Sequence, residues 1–402
     1  MLGAIAEGQT QVNGFLASED CLATLAALAA LGVKIERPAQ NRVRVHGVGR
    51  DGLRGAEGRL DMGNAGTAMR LMMGLLAGQR FDSTLVGDAS LMRRPMERVA
   101  APLRAMGAQI DTDAGRPPVE IHGGARLAAI DYVLPMASAQ VKSALLLAAL
   151  YAQGTTSVTE PAPTRDHTER MLRGFGVRVG CEGAHVSLAG GQRLSGCEID
   201  VPGDFSSAAF FIVAGCLAAH QGLTLCNVGV NPTRTGLLQM LRLMGAQIDV
   251  RPHRTGAPEP VADIHVRAAA LRGIRVPADL VALAIDEFPV FFIAAAAACG
   301  TTVITGAAEL RVKESDRLAV MAAGLTTLGI ACELSPDGLA IHGGAMHGGR
   351  IDSHGDHRVA MAFAVASLLA SATIEIDDVA NVATSFPGFP ALARSAGLAL
   401  ED

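Results

Sequence analysis

The chain has 402 residues, a formal net charge of −5, 50% hydrophobic residues and 3% aromatics with no Trp. That length exceeds one ordinary core, so two domains are expected. The mild acidity and the scarcity of rings supply neither the basic footprint nor the stacking platforms of a nucleic-acid binder. Seven cysteines, scattered without a CxxC pair, read as reduced, mostly buried thiols of a cytoplasmic protein and form no zinc pattern. The longest apolar run, Phe288 to Cys299, contains a proline and falls far short of the ~20 residues that span a bilayer. Met1 to Glu7 lack the basic region and long apolar core of a signal peptide.

Taken in order, Met1 to Gly8 read as the last two turns of an apolar helix ended by a glycine. A domain seldom starts halfway through a helix, so a preceding segment is expected. An internal repeat follows. Leucine-rich helices end in a glycine and then alternating apolar residues at Leu31-Gly32-Val33, Met106-Gly107-Ala108, Phe175-Gly176-Val177, Met244-Gly245-Ala246, Leu328-Gly329-Ile330 and Ala396-Gly397-Leu398. The period is roughly 70 residues, one helix–turn–strand–strand unit per repeat, with strands such as 108–111 and 119–122. Six units, the last ending soon after its first strand, divide into an α/β domain over 1–200 and another over 201–402, with the boundary near Asp200 to Gly203.

Polar stretches of small residues precede the apolar helices. Gly63 to Ala68 stand before Met69–Leu76, Ala137 to Gln140 before Val141–Leu150, and Gly203 to Ser207 before Ala208–Ala219. Ile285 to Phe288 stand before Pro289–Ala298, and His354 to Arg358 before Val359–Leu369. In Thr164 to Glu169, Asp166 and Glu169 are spaced as a capping-box-like pair. Helix starts of this kind carry free N–H groups and attract anions. One such start is ordinary capping; several in repeated units, some with Arg, Lys or Gln, point to an anionic ligand.

The octet Arg311 to Leu318 holds five charged residues between a buried strand and an amphipathic helix. With Ser315 or Asp316 as the cap, Lys313 and Glu314 fall in the turn before the helix and Arg317 in its first turn. Two cations beside one carboxylate suit anion binding and proton donation; a solvated helix start is the plain alternative. Asp286-Glu287, flanked by Ile285 and Phe288, reads either as a favourable helix-start pair or as a partly desolvated carboxylate and so a candidate general base. Arg93 and Arg94 precede a Pro-initiated helix and otherwise read as a surface pair. The His354 to Arg358 spacing matches no zinc pattern, and Arg358 would repel a cation. His167 reads as structural. There is no nucleotide fingerprint and no Ser-His-Asp arrangement.

These residues in order resemble the 5-enolpyruvylshikimate-3-phosphate synthase family, in its bacterial class II branch. The resemblance rests on Gly63 to Thr67, Arg94-Pro95-Met96, Ser138 to Ser143, Arg165 to Glu169, Gly203-Asp204, Asp286-Glu287, the octet, Asp356-His357-Arg358 and Thr384 to Pro387. It implies an inverse α/β barrel pair of six βαβαββ-type units in two domains that close on the substrates. It also implies transfer of the enolpyruvyl group of phosphoenolpyruvate to the 5-hydroxyl of shikimate 3-phosphate, with no metal or organic cofactor, in a cytoplasmic monomer. By resemblance Glu314 protonates the methylene carbon and Asp286 is the base at the hydroxyl. Ser138, Ala139, Gln140, Arg165, Asp286 and Lys313 hold shikimate 3-phosphate. Gly66, Arg94, Gln140, Arg317 and Arg358 hold phosphoenolpyruvate, with Asn64 and Thr67 shaping its cradle.

Two departures accompany the resemblance. The family's Lys-Ser…Arg segment, which contacts both substrates, would precede Leu2 and is absent from this sequence; either the start lies further upstream or a chain without that segment is inactive. Thr384 stands where other members carry a lysine. The sister enzymes that act on UDP-N-acetylglucosamine use a cysteine-bearing loop, and the matching stretch here, Ser90 to Arg94, has none. A non-catalytic relative is the other alternative.

Overall fold

The computed structural model describes residues 1–253 and 258–401. The chain forms two compact units: Met1–Val201 with Pro258 and Glu259, and the remainder from Pro202 onward. The first unit opens with β1 (Gln9–Asn13), α1 (Glu19–Ala30), β2 (Lys34–Ala39), β3 (Arg42–His46), β4 (Leu60–Asp61), α2 (Gly66–Leu76), β5 (Ser83–Val86) and α3 (Glu97–Ala105). It continues through β6 (Gln109–Asp113), β7 (Arg116–His122), β8 (Asp131–Val133), α4 (Ala139–Ala149), β9 (Thr155–Thr159), α5 (His167–Gly174), β10 (Val179–Glu182), β11 (His185–Ala189) and β12 (Glu198–Asp200).

Three four-stranded sheets in this unit share one plan: a parallel pair, then an antiparallel hairpin. β5 lies between parallel β4 and antiparallel β7, with β6 beyond. β9 lies between β8 and β11, with β10 beyond. In the first sheet β1 takes its parallel partner from the far end of the unit, Gln11 opposite Glu198 in β12, and its hairpin from β3 and β2. α2 and α4 are apolar nearly all round and buried along most of their length, whereas α1, α3 and α5 each keep an exposed face. α2 packs on α4 so closely that a methyl group on Gly74 would stand 2.1 Å from the Ala144 carbonyl oxygen.

The second unit has smaller sheets and opens with α6 (Phe205–Ala218), β13 (Leu223–Gly229), α7 (Gly236–Leu243), β14 (Gln247–Pro252), β15 (Val261–Arg267), α8 (Ala278–Val281), α9 (Phe288–Ala297) and β16 (Thr301–Ile304). After these come α10 (Arg317–Thr327), β17 (Ala331–Ser335), β18 (Gly338–His342), β19 (Gly349–Asp352), α11 (His357–Ala366), β20 (Ile374–Asp377), α12 (Val382–Ser385) and α13 (Phe389–Ser395). Its sheets run β13-β15-β14, β16-β18-β17 and parallel β19-β20. α6, α9 and α11 pack together, and α9 is buried from Phe288 to Ala296.

All six glycines of the sequence repeat adopt left-handed backbone after their helices: φ is 88° at Gly32, 99° at Gly107, 86° at Gly176, 94° at Gly245, 88° at Gly329 and 96° at Gly397. A side chain there would meet its own carbonyl, which is why the repeat is written in glycine.

Several expectations change. The start of the chain is a short 3-10 turn, Leu2–Ala4, and not two α-turns; Gly8, at φ 85°, leads directly into β1. α2, α4, α6 and α11 begin two or three residues early, at Gly66, Ala139, Phe205 and His357, because the small polar residues form first turns instead of preceding them. Pro95 does not open α3; Met96 is the N-cap. Asp166 makes no side-chain cap hydrogen bond, since it binds Arg170, and Glu169 turns inward to Lys142. Only Cys216 is fully buried, while Cys181, Cys226 and Cys299 lie exposed on strands or turns. No strand follows Gly397 within the described residues.

Candidate active-site residues in each unit

In the first unit, five of the expected residues gather around the starts of α2 and α4, four of them in two hydrogen-bonded groups with Gly66 beside them. Asn64 donates to Asp88 Oδ2 at 2.7 Å and accepts from Arg94 Nη2 at 2.8 Å. Gln140 donates from Nε2 to Thr67 Oγ1 at 2.9 Å. Its Oε1 accepts from Arg70 at 2.7 Å and Arg98 at 3.3 Å. Gly66 sits behind this group, where an added methyl would come 3.1 Å from Arg94 Nη1. Arg70 is 5% exposed; burial first, then the neighbouring Arg98 and Arg94, lower its pKa to about 9. Arg70 and Arg98 converge on the Gln140 amide and Arg94 on Asn64 nearby; three guanidiniums so placed, Arg70 among them buried, favour an anion.

Ser138 is the N-cap of α4, its hydroxyl accepting from Val141 N at 3.4 Å, and Ala139 and Gln140 form the first turn. Arg165 lies part-buried on the segment that leads into α5.

In the second unit the octet folds as its spacing predicts. Asp316 caps α10, accepting from Ala319 N at 3.0 Å. The solvated alternative fails, because Arg317 is 1% exposed. Its Nε donates to Asp356 Oδ2 at 2.7 Å and its Nη2 to Glu314 Oε2 at 2.7 Å, while Nη1 stands 3.6 Å from Asp286 Oδ1. Lys313 Nζ lies 3.5 Å from the same Asp286 oxygen and 2.7 Å from Glu309. Arg358 donates from Nη1 to the Asp286 carbonyl at 3.0 Å. Asp286, Lys313, Glu314, Arg317 and Arg358 therefore form one cluster at the starts of α9, α10 and α11.

Its electrostatics are set by burial against the arginines. Burial pushes the Glu314 carboxyl up, but Arg317, a backbone hydrogen bond and Arg358 together hold the group below its ordinary value. Asp356 behaves alike: burial raises, Arg317 lowers, and the net direction is down. Burial, aided by Arg358, lowers His357 to about 4. Glu287, 2% exposed, is raised by burial despite Arg358, and accepts from the Ser206 hydroxyl, which Arg234 in turn contacts.

A sequence profile for the family described as EPSP synthase (3-phosphoshikimate 1-carboxyvinyltransferase) matches residues 1–392. The chain belongs to that family. It is similar to the 3-phosphoshikimate 1-carboxyvinyltransferase of Methylococcus capsulatus, 60% identical over 402 residues, covering 100% of this chain and 92% of that protein. It is similar also to the one from Alkalilimnicola ehrlichii, 61% identical and covering 90% of it. The EPSP synthase of Acinetobacter baumannii superposes with a TM-score of 0.93 at 55% identity, over 100% of this chain and 93% of that one. The mixed α/β fold is thus the EPSP synthase fold.

Some participants escape sequence reading. Asp356 anchors Arg317, a partner that its place between Gly355 and His357 does not announce. Arg70 is one helical turn beyond Gly66, a spacing that places both on one face. Lys142 is the one charge inside an apolar helix, a signal that it needs a buried partner. Nothing in the sequence marks Arg234.

Proposed function

We propose that this EPSP synthase family member transfers the enolpyruvyl group of phosphoenolpyruvate to the 5-hydroxyl of shikimate 3-phosphate and releases phosphate. The observation that carries the reading is the Arg317 guanidinium, bonded to Glu314 and facing Asp286. It brings a proton donor, a proton acceptor and an anion-binding cation to one place.

Glu314 delivers a proton to the methylene carbon of phosphoenolpyruvate, which makes the adjacent carbon electrophilic. Asp286 takes the proton of the attacking hydroxyl, the C–O bond forms, and the tetrahedral adduct expels phosphate with loss of a methyl proton to restore the double bond. Lys313, Arg317 and Arg358 supply charge for the anions on this unit. Arg94, Gln140 and the Gly66–Thr67 turn cradle phosphoenolpyruvate on the other, while Ser138, Ala139, Gln140 and Arg165 hold shikimate 3-phosphate. Fixed cations aimed at developing charge supply most of the rate. The absence among the described residues of a helix long and apolar enough to cross a membrane accords with action in the cytoplasm; we take the working form as a monomer.

The test is calorimetric titration with shikimate 3-phosphate, then phosphate release on adding phosphoenolpyruvate. Binding followed by release supports the reading. Release with UDP-N-acetylglucosamine alone overturns it, and binding without turnover supports the non-catalytic relative.

A further inference from the structure

Lys142 and Glu169 have no part in the proton transfers, yet both are 1% exposed in the first unit. Lys142 lies two residues beyond Gln140 on α4. Its Nζ stands 2.8 Å from Glu160 Oε2 and 2.7 Å from Glu169 Oε1. Glu160 directly follows β9 and Glu169 is in the first turn of α5. The segment between these two carboxylates carries Arg165.

Two hydroxyl contacts tighten the same arrangement. Thr164 donates to the Glu160 carboxylate, and Thr168 Oγ1 donates to Ser143 Oγ at 2.7 Å. Pro161 and Pro163 have no N–H to give a backbone ladder. The segment is therefore held on both sides of Arg165 by side chains that converge on one helical turn, Lys142 and Ser143. Stability alone does not call for an ammonium there: burying one cation with two carboxylates is no better than an apolar group of that volume, and α4 is otherwise apolar. An ion pair differs from an apolar contact in fixing direction and register.

We propose that Lys142, with Glu160 and Glu169, is a positioning group that fixes the Arg165 segment against the first turn of α4, and so sets affinity for shikimate 3-phosphate. The ligand named here rests on the function proposed above; the tether does not.

The experiment is Lys142→Met in the full chain, read by three measurements. Shikimate 3-phosphate affinity is expected to fall about tenfold, equivalent to ~1.4 kcal/mol. The KM for phosphoenolpyruvate stays within about threefold, since a positioning loss confined to one ligand is not uniform. Hydrogen exchange quickens across 161–168 and stays unchanged across 64–98, as local opening predicts. Lys142→Arg, which keeps the charge, recovers part of the affinity. Unchanged shikimate 3-phosphate affinity in folded Lys142→Met overturns the proposal. So does parallel loss for both substrates with exchange rising across the whole unit, which marks a merely structural role. If Lys142→Met does not fold, Glu169→Gln and Thr164→Val carry the test, and unchanged affinity in both overturns it. A wild-type chain that ignores shikimate 3-phosphate, while 161–168 still loosens in Lys142→Met, overturns the functional reading and leaves the tether supported.

Discussion

Arg317 Nη2 donates to Glu314 Oε2 at 2.7 Å, while Nη1, 3.6 Å from Asp286 Oδ1, makes no hydrogen bond among the described residues. One buried guanidinium thus spans the candidate acid and the candidate base. Arg317, with a backbone hydrogen bond and Arg358, holds the Glu314 carboxyl below its ordinary value against the upward push of burial. A proton donor must first be charged with a proton, and the anion that settles on Arg317 provides the occasion.

Phosphoenolpyruvate binding should therefore be accompanied by proton uptake at Glu314. Calorimetry in two buffers of different ionisation heat, with shikimate 3-phosphate present, measures it directly. Glu314→Gln should abolish the uptake and lower kcat by about 10²–10⁴-fold, the usual worth of general acid catalysis. No uptake by the wild-type chain would sink the idea.

His357 gives a prediction about acid stability. Its folded pKa, about 4, lies below the unfolded value near 6.5, because burial and Arg358 disfavour the imidazolium. Between those values the unfolded chain binds more protons, so this contribution is complete above about pH 6.5 and is lost as pH falls toward 4. Allowing for residual solvent screening, the loss should be about 2 kcal/mol. The thermal midpoint of His357→Gln should fall less steeply than wild type over that window; parallel curves would count against the assignment.

Gly66→Ala places a methyl 3.1 Å from Arg94 Nη1, a contact that the flexible guanidinium can relieve only by moving away from Asn64. The KM for phosphoenolpyruvate should rise about threefold to tenfold, as for the partial loss, ~1 kcal/mol, of a charged hydrogen bond worth roughly 1.5–3 kcal/mol. The thermal midpoint should not move. Steady-state kinetics with a melting curve decides it, and an unaltered KM would show that Arg94 does not serve that ligand.

Gly74→Ala should act in the opposite way. Its methyl would meet the Ala144 carbonyl oxygen at 2.1 Å, backbone against backbone, and neither helix can yield as a side-chain tip does. Overpacking of this kind costs about 1–3 kcal/mol. Denaturant titration should show that loss, and an unchanged midpoint would mean the α2–α4 approach is looser than described.

What could be read from the sequence was whatever repeats or whatever is local. The six glycines with φ near 90° announced the repeat because only left-handed backbone fits there. The octet announced its own cap, since Asp316 and Ala319 are three residues apart. Asp356 and Lys142 could not be read this way. Their partners, Arg317 and Glu169, are distant along the chain, and an isolated charge does not say which partner burial will give it. The capping-box-like pair misled otherwise: Asp166 binds Arg170 one turn along its own helix, and Glu169 turns inward to Lys142.

The pairing of β1 with β12 has a consequence for how the first unit comes into being. The sheet of β4 to β7 and that of β8 to β11 each draw on one continuous stretch of chain, but Gln11 waits for Glu198. During synthesis two sheets can be finished while the first still shows β1 as a bare edge, and such edges invite pairing with other chains. β1 is thus among the last strands of this unit to be covered on both edges. A ribosome pausing short of Asp200 would expose it longest.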